Sequence, residues 1–109
     1  MATIKNLYID QGSTFNASLN VNDQTDEPLD LSDYTAAAQM RRSYYTNTYI
    51  DLNATISSPL DGEVIISLSA SESGAVKAGR YVYDVEITGN GETMRVLEGI
   101  IVVNPEVTR

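Results

Sequence analysis

Apolar and polar residues alternate along this chain with a period of two, the spacing that sends successive side chains to opposite faces of a β-strand. Phe15, Ala17, Leu19 and Val21 fall on one side, and Asn16, Ser18, Asn20 and Asn22 on the other. The pattern recurs with smaller residues at Ala36, Ala38 and Met40. It returns at Ile50, Leu52, Ala54 and Ile56, and at Val64, Ile66 and Leu68. Tyr81, Tyr83, Val85 and Ile87 alternate with Val82, Asp84 and Glu86. The run from Met94 to Val103 ends with apolar residues on both faces, which predicts a strand covered on both sides. With the short stretch Ile4–Ile9, these runs make about seven strands.

Turn chemistry separates the runs. Asn22 to Pro28 is polar and ends in a proline that cannot donate to a ladder. Ser58-Pro59-Leu60-Asp61-Gly62 carries the proline and Asp-Gly of a tight reversal. Gly89-Asn90-Gly91 lies between two strong strands and predicts a hairpin with positive φ angles, and Pro105 ends the last strand. One stretch departs from period two. Ser69 to Val76 is rich in small residues, and Ser69 stands three positions before Glu72, as in a capping box. This predicts a single helical turn near residues 70–76, crossing from one sheet to the other. Short strands at this spacing, several with one polar face, point to a sandwich rather than a barrel. The expected fold is all-β: one immunoglobulin-like antiparallel β-sandwich over residues 1–109.

Composition narrows the chemistry. A chain of 109 residues suits one domain. With 15 acidic and 7 basic side chains its formal charge is -8, which repels nucleic acid and anionic membranes. Arg41 and Arg42, the only adjacent basic pair, are too few for a nucleic-acid footprint. No apolar run approaches the ~18 residues of a membrane span. The opening MATIKNLYID lacks the pattern of a signal peptide. Cysteine and histidine are both absent, removing disulfides, thiol nucleophiles, the usual general base and most transition-metal sites. Catalysis is therefore not expected, and no cofactor is implied. The densest acidic stretch, Asp23, Asp26, Glu27, Asp30 and Asp33, does not have the spacing of a calcium-binding EF-hand loop and reads as a solvated loop.

Seven tyrosines and no tryptophan are a more telling bias. Tyr44, Tyr45 and Tyr49 cluster just after Arg41 and Arg42. Two readings stay open: a partner-contact surface, or rings that cover the open end of the core. Tyr81-Val82-Tyr83-Asp84 reads as core-filling rings with a hydroxyl anchoring a neighbouring loop, as in a tyrosine corner.

The run Ala78 to Ile87, a polar hairpin, and then Arg95 to Val103 resemble small structural proteins of tailed bacteriophages of the T4-like and cyanophage type. They are also similar to the N-terminal Ig-like domain of phage baseplate upper proteins. The shared features are a G-x-Y-x-Y-D strand, here Gly79 to Asp84, and a final strand with a glycine before its apolar end, here Gly99. Asp10 to Phe15 and Leu29 to Thr35 also look like that family. The resemblance implies a non-enzymatic virion part, assembled in the host cytoplasm. It would dock on tail, baseplate, neck or capsid proteins, alone or as a homo-oligomer. Baseplate upper proteins continue into a fibre-binding region beyond this domain, so a free-standing accessory role stands beside the adaptor role. The alternatives are a capsid decoration protein, an adhesion module for a host surface receptor or glycan, and an intracellular effector that binds a host protein.

Overall fold

The structure is a computed structural model that describes residues 3–22, 25 and 27–107. Among these residues the elements are β1 (Thr3–Ile4), β2 (Leu7–Asp10), β3 (Phe15–Asn20), β4 (Thr35–Arg41), β5 (Ile50–Asp51) and β6 (Thr55–Ser58). A 3₁₀ turn (Pro59–Asp61), β7 (Glu63–Leu68), α1 (Ala70–Gly74), β8 (Gly79–Gly89) and β9 (Glu92–Asn104) complete the order. One sheet runs β1–β9–β8–β4–β5, with β2 also on β9, and the other runs β3–β7–β6. These are the GFCC′ and BED orders of an immunoglobulin sandwich. The ladders are antiparallel except where β1 and β2 lie parallel to β9.

The core lies between the sheets and is built by the period-two faces. Leu19, Val64, Ile66 and Leu68 from the smaller sheet meet Ile9, Met40, Tyr81, Tyr83, Val85, Ile87, Ile101 and Val103 from the larger, all buried. Each such aliphatic side chain contributes roughly 1.5–3 kcal/mol through its removal from water. The connections follow their local chemistry. Asn90 (φ 52°) and Gly91 (φ 78°) form the two-residue loop that joins β8 to β9, and Gly89 pairs with Glu92 across it. Ser69 accepts the Glu72 N–H while the Glu72 carboxylate accepts the Ser69 N–H, so the capping box starts α1. That turn carries the chain from β7 in the smaller sheet to β8 in the larger. Buried Ser73 fastens it by donating to the Ser13 carbonyl at 2.6 Å. Asn22 and Pro28 form an isolated bridge at the base of the polar loop, whose Asp23 and Asp26 lie outside the described residues.

Three expectations are corrected. The run Ile4–Ile9 is two strands, because the chain bends at Lys5–Asn6 across Gly99. There Lys5 donates its N–H to the Glu98 carbonyl at 2.9 Å, and Asn6 Oδ1 accepts the Ile100 N–H at 3.1 Å. A Cβ on Gly99 would collide with the Lys5 carbonyl, so only glycine leaves room for this approach.

The run Ile50–Ile56 is also two strands, in different sheets. Leu52 donates its N–H to the Ala38 carbonyl of the larger sheet at 3.0 Å, and its own carbonyl accepts the Ser67 N–H of the smaller sheet at 2.8 Å. Asn53 follows with φ 52°, a left-handed conformation that asparagine tolerates. Its N–H is bound by Asp51 Oδ1 at 2.8 Å and its side-chain amide donates to the Ser67 carbonyl at 3.0 Å. Ile50, Leu52 and Ile56 all face inward, so the hydrophobic pattern runs on unbroken through a change of sheet.

The end of the last strand is not covered on both sides. Ile101 and Val103 are buried in the core, whereas Ile100 and Val102 lie half-buried on the outer face of the larger sheet. Among the described residues no second layer lies over them.

Candidate contact surface

The Arg41–Tyr49 cluster falls on the loop between β4 and β5, at the end of the sandwich where β8 begins. Its members do different jobs. Arg41 organises the loop: Nη1 donates to the Thr46 carbonyl at 2.7 Å, Nη2 to Gln39 Oε1 at 3.1 Å, and the guanidinium lies 5.2 Å from the Tyr49 ring centroid. Arg42 turns the other way, 5.1 Å from the ring centroid of Tyr81, and donates to the Ala78 carbonyl at 3.4 Å. Beneath it Tyr81 donates its hydroxyl to the Lys77 carbonyl at 2.8 Å, which is the geometry of a tyrosine corner. Tyr83 stands two residues on, where antibody domains carry the second disulfide cysteine, and fills that place with a buried ring.

At this end of the core Arg42 lies over Tyr81, and the loop tyrosines stand further out. Tyr44 is 71% exposed, Tyr45 95% and Tyr49 51%. Tyr44 borders a groove of about 330 Å³ on the outer face, with Gln39, Arg41, Asp84, Glu86 and Arg95. Tyr49 and Thr48 border a more apolar hollow of about 380 Å³ against Val76, Lys77 and Tyr81. In the groove Arg95 pairs with Asp84 at 3.5 Å and Glu98 at 3.6 Å. Exposed pairs of this kind contribute little stability but fix the direction of the guanidinium.

Sequence reasoning missed a second feature of the same face. In the ladder register Tyr8 lies beside Val102, Ile100 beside Val82, and Ile4 beside Glu98. Tyr8 is 69% exposed, so with Val102, Ile100 and Val82 it forms an apolar strip on the outer side of the larger sheet, and Ile4, 73% exposed, stands at its margin beside Glu98. The signal was the apolar character on both faces at the end of the last strand, where the outward residues form a surface strip instead of a buried layer.

The titrating groups are tied into the scaffold. The Asp30 carboxyl is held low by the Ser32 hydroxyl and N–H, Glu63 by the hydroxyls of Ser57 and Ser18, and Glu72 chiefly by the Ser69 N–H. Burial pushes the Tyr83 hydroxyl up to about 12. Among the described residues no three His, Cys, Asp or Glu side chains are grouped to hold a metal ion, and no helix is long and apolar enough to cross a membrane.

No protein-family model and no curated protein sequence matches the chain. Solved structures do. An endo-β-1,4-mannanase from Thermotoga petrophila superposes with TM-score 0.55 at 12% identity, over 92% of this chain and 18% of that one. InlP of Listeria monocytogenes gives TM-score 0.52 at 12% identity, over 94% of this chain and 28% of that one. Murine CRIg gives TM-score 0.45 at 9% identity, over 94% and 92%. The chain spans less than a third of the first two proteins, and likeness at such identity concerns the fold alone.

Proposed function

We propose that this domain is a non-catalytic structural module of a tailed-phage virion, docking on other virion proteins through the outer face of its larger sheet. The observation that carries the docking reading is the apolar strip of Tyr8, Val82, Ile100 and Val102, with Arg41 beside Val82, Arg80 beside Val102, and the Ile4, Glu98 and Asp84 row along its other margin. Aromatic and aliphatic area next to arginine is the composition of an interface core with its polar rim. The phage assignment rests on the resemblance of the Gly79–Asp84 strand and the Gly99 strand. Mass spectrometry of purified particles, with electron microscopy of the same preparation, tests it. The protein should be present at a fixed copy number, and its absence from the virion rejects the reading. A Tyr8→Ser, Ile100→Ser variant should fold and fail to incorporate.

A second reading is favoured by the groove. An exposed Tyr44 ring beside Gln39, Asp84 and Arg95 offers an apolar platform with fixed polar groups, an arrangement suited to a host glycan. A glycan array with wild type and a Tyr44→Ala, Tyr45→Ala variant decides it, since no binding by the wild type removes this reading.

A further inference from the structure

The free edges of the two sheets are guarded unequally. An edge strand presents unpaired N–H and C=O groups, and proteins blunt such edges with shortness, bulges, proline or charge. β5 has two residues, β6 is bulged and runs into Pro59, and the β1/β2 edge is broken at Lys5–Asn6. β3 has none of these devices. Its six residues, Phe15–Asn20, carry no charge and no proline, and they pair with β7 in unbroken register. Val21, next in the chain, donates its N–H to the Gly62 carbonyl at 2.8 Å, on the β7 side. Backbone groups alternate in direction along a strand, so Phe15, Ala17 and Leu19 turn theirs to β7, and Asn16, Ser18 and Asn20 turn theirs outward.

We infer that β3 pairs antiparallel with β3 of a second copy of this chain, about a two-fold axis at Ser18. The inference stands apart from the docking reading, which uses the opposite sheet. With Ser18 facing its own counterpart, Asn16 faces Asn20 of the second copy, and each facing pair exchanges both N–H···O bonds. The same register sets Ala17 against Leu19 and Phe15 against Val21 of the second copy. Phe15 and Ala17 are only half-buried, so apolar area is left for that contact. The chain carries a formal charge of -8, and β3 carries none of it. An uncharged, self-complementary edge fits an identical strand.

Sedimentation equilibrium on the full chain over a concentration series tests the pairing. The wild type should show a monomer–dimer equilibrium that strengthens as added salt screens the net charge. Ser18→Lys sets two ammonium groups face to face, and Ser18→Pro deletes an outward N–H. Neither removes a backbone bond to β7, and both lose the Ser18 hydroxyl bond to the exposed Glu63 carboxylate alike, so both should stay folded by circular dichroism and weaken the dimer by roughly tenfold or more. Hydrogen exchange on the wild type gives a readout without any variant. The amides of Asn16, Ser18 and Asn20 should gain protection as concentration rises, while those of Ala17 and Leu19 are protected throughout. A wild type that is monomeric at every concentration, a dimer that survives both substitutions, or exchange at the three amides that ignores concentration overturns the inference.

Discussion

The hydroxyl of Tyr83 donates a 2.6 Å hydrogen bond to the carbonyl of Lys5, closing over Gly99, its own ladder partner on β9. One bond thus ties the middle of β8 to the bend between β1 and β2. Burial raises this hydroxyl from its ordinary value of 10.0 to about 12, so the folded protein favours the neutral phenol more than the unfolded chain does. The associated stability is fully present below pH ~10 and is lost as pH rises from ~10 to ~12. Tyr83→Phe should cost about 1–2 kcal/mol at neutral pH and flatten the alkaline decline. Urea unfolding at stepped pH checks both effects.

Leu52 bonds to both sheets through its backbone while its side chain is fully buried. Leu52→Ala should therefore destabilise the domain by roughly 2–5 kcal/mol, the range for a cavity in a well-packed core. The midpoint of chemical denaturation reports it, and a change below about 1 kcal/mol would mean that the site collapses around the smaller residue.

The capping box of Ser69 and Glu72 starts the turn that carries the chain between sheets. Ser69→Ala should cost about 1 kcal/mol. Hydrogen bonding, chiefly from the Ser69 N–H, lowers the Glu72 carboxyl below its ordinary value of 4.5. Its contribution is present above that value and is lost as pH falls through the lowered one. Thermal melts from neutral to acid pH should show a shallower acid decline in Glu72→Ala than in the wild type.

Arg42 and Tyr45 stand three positions apart with opposite expected phenotypes. Arg42→Ala uncovers the Tyr81 ring and should lower stability by about 0.5–1 kcal/mol. Tyr45→Ala, at a side chain 95% exposed, should change it by less than about 0.5 kcal/mol. Paired thermal melts separate the two, and a partner interaction lost only in the Tyr45 variant would assign that ring to contact.

Much of the strand framework is legible in the sequence. β3, β4, β7, β8 and β9 each have one face that must leave water, and a period-two pattern records that directly. The Asn90-Gly91 hairpin and the Ser69–Glu72 cap were legible for a related reason, since both are satisfied by residues within a few positions of each other. The candidate cluster was legible only as a composition. Arg41 and Arg42 are adjacent and identical, yet strand alternation sends one over Tyr49 and the other over Tyr81.

By itself the sequence determined which side chains face inward, where the chain reverses, and that histidine and cysteine chemistry is absent. Only the tertiary structure decided which sheet each strand joins. Alternation encodes burial and is blind to the hydrogen-bond partner, so Ile50–Ile56 keeps one pattern while Leu52 passes the backbone from Ala38 to Ser67. For the same reason the outward apolar residues Ile100 and Val102 became a surface strip beside Tyr8 rather than a buried layer. The unguarded edge at β3 likewise arises because the chain's first strands joined β9 and, among the described residues, left β3 with β7 alone.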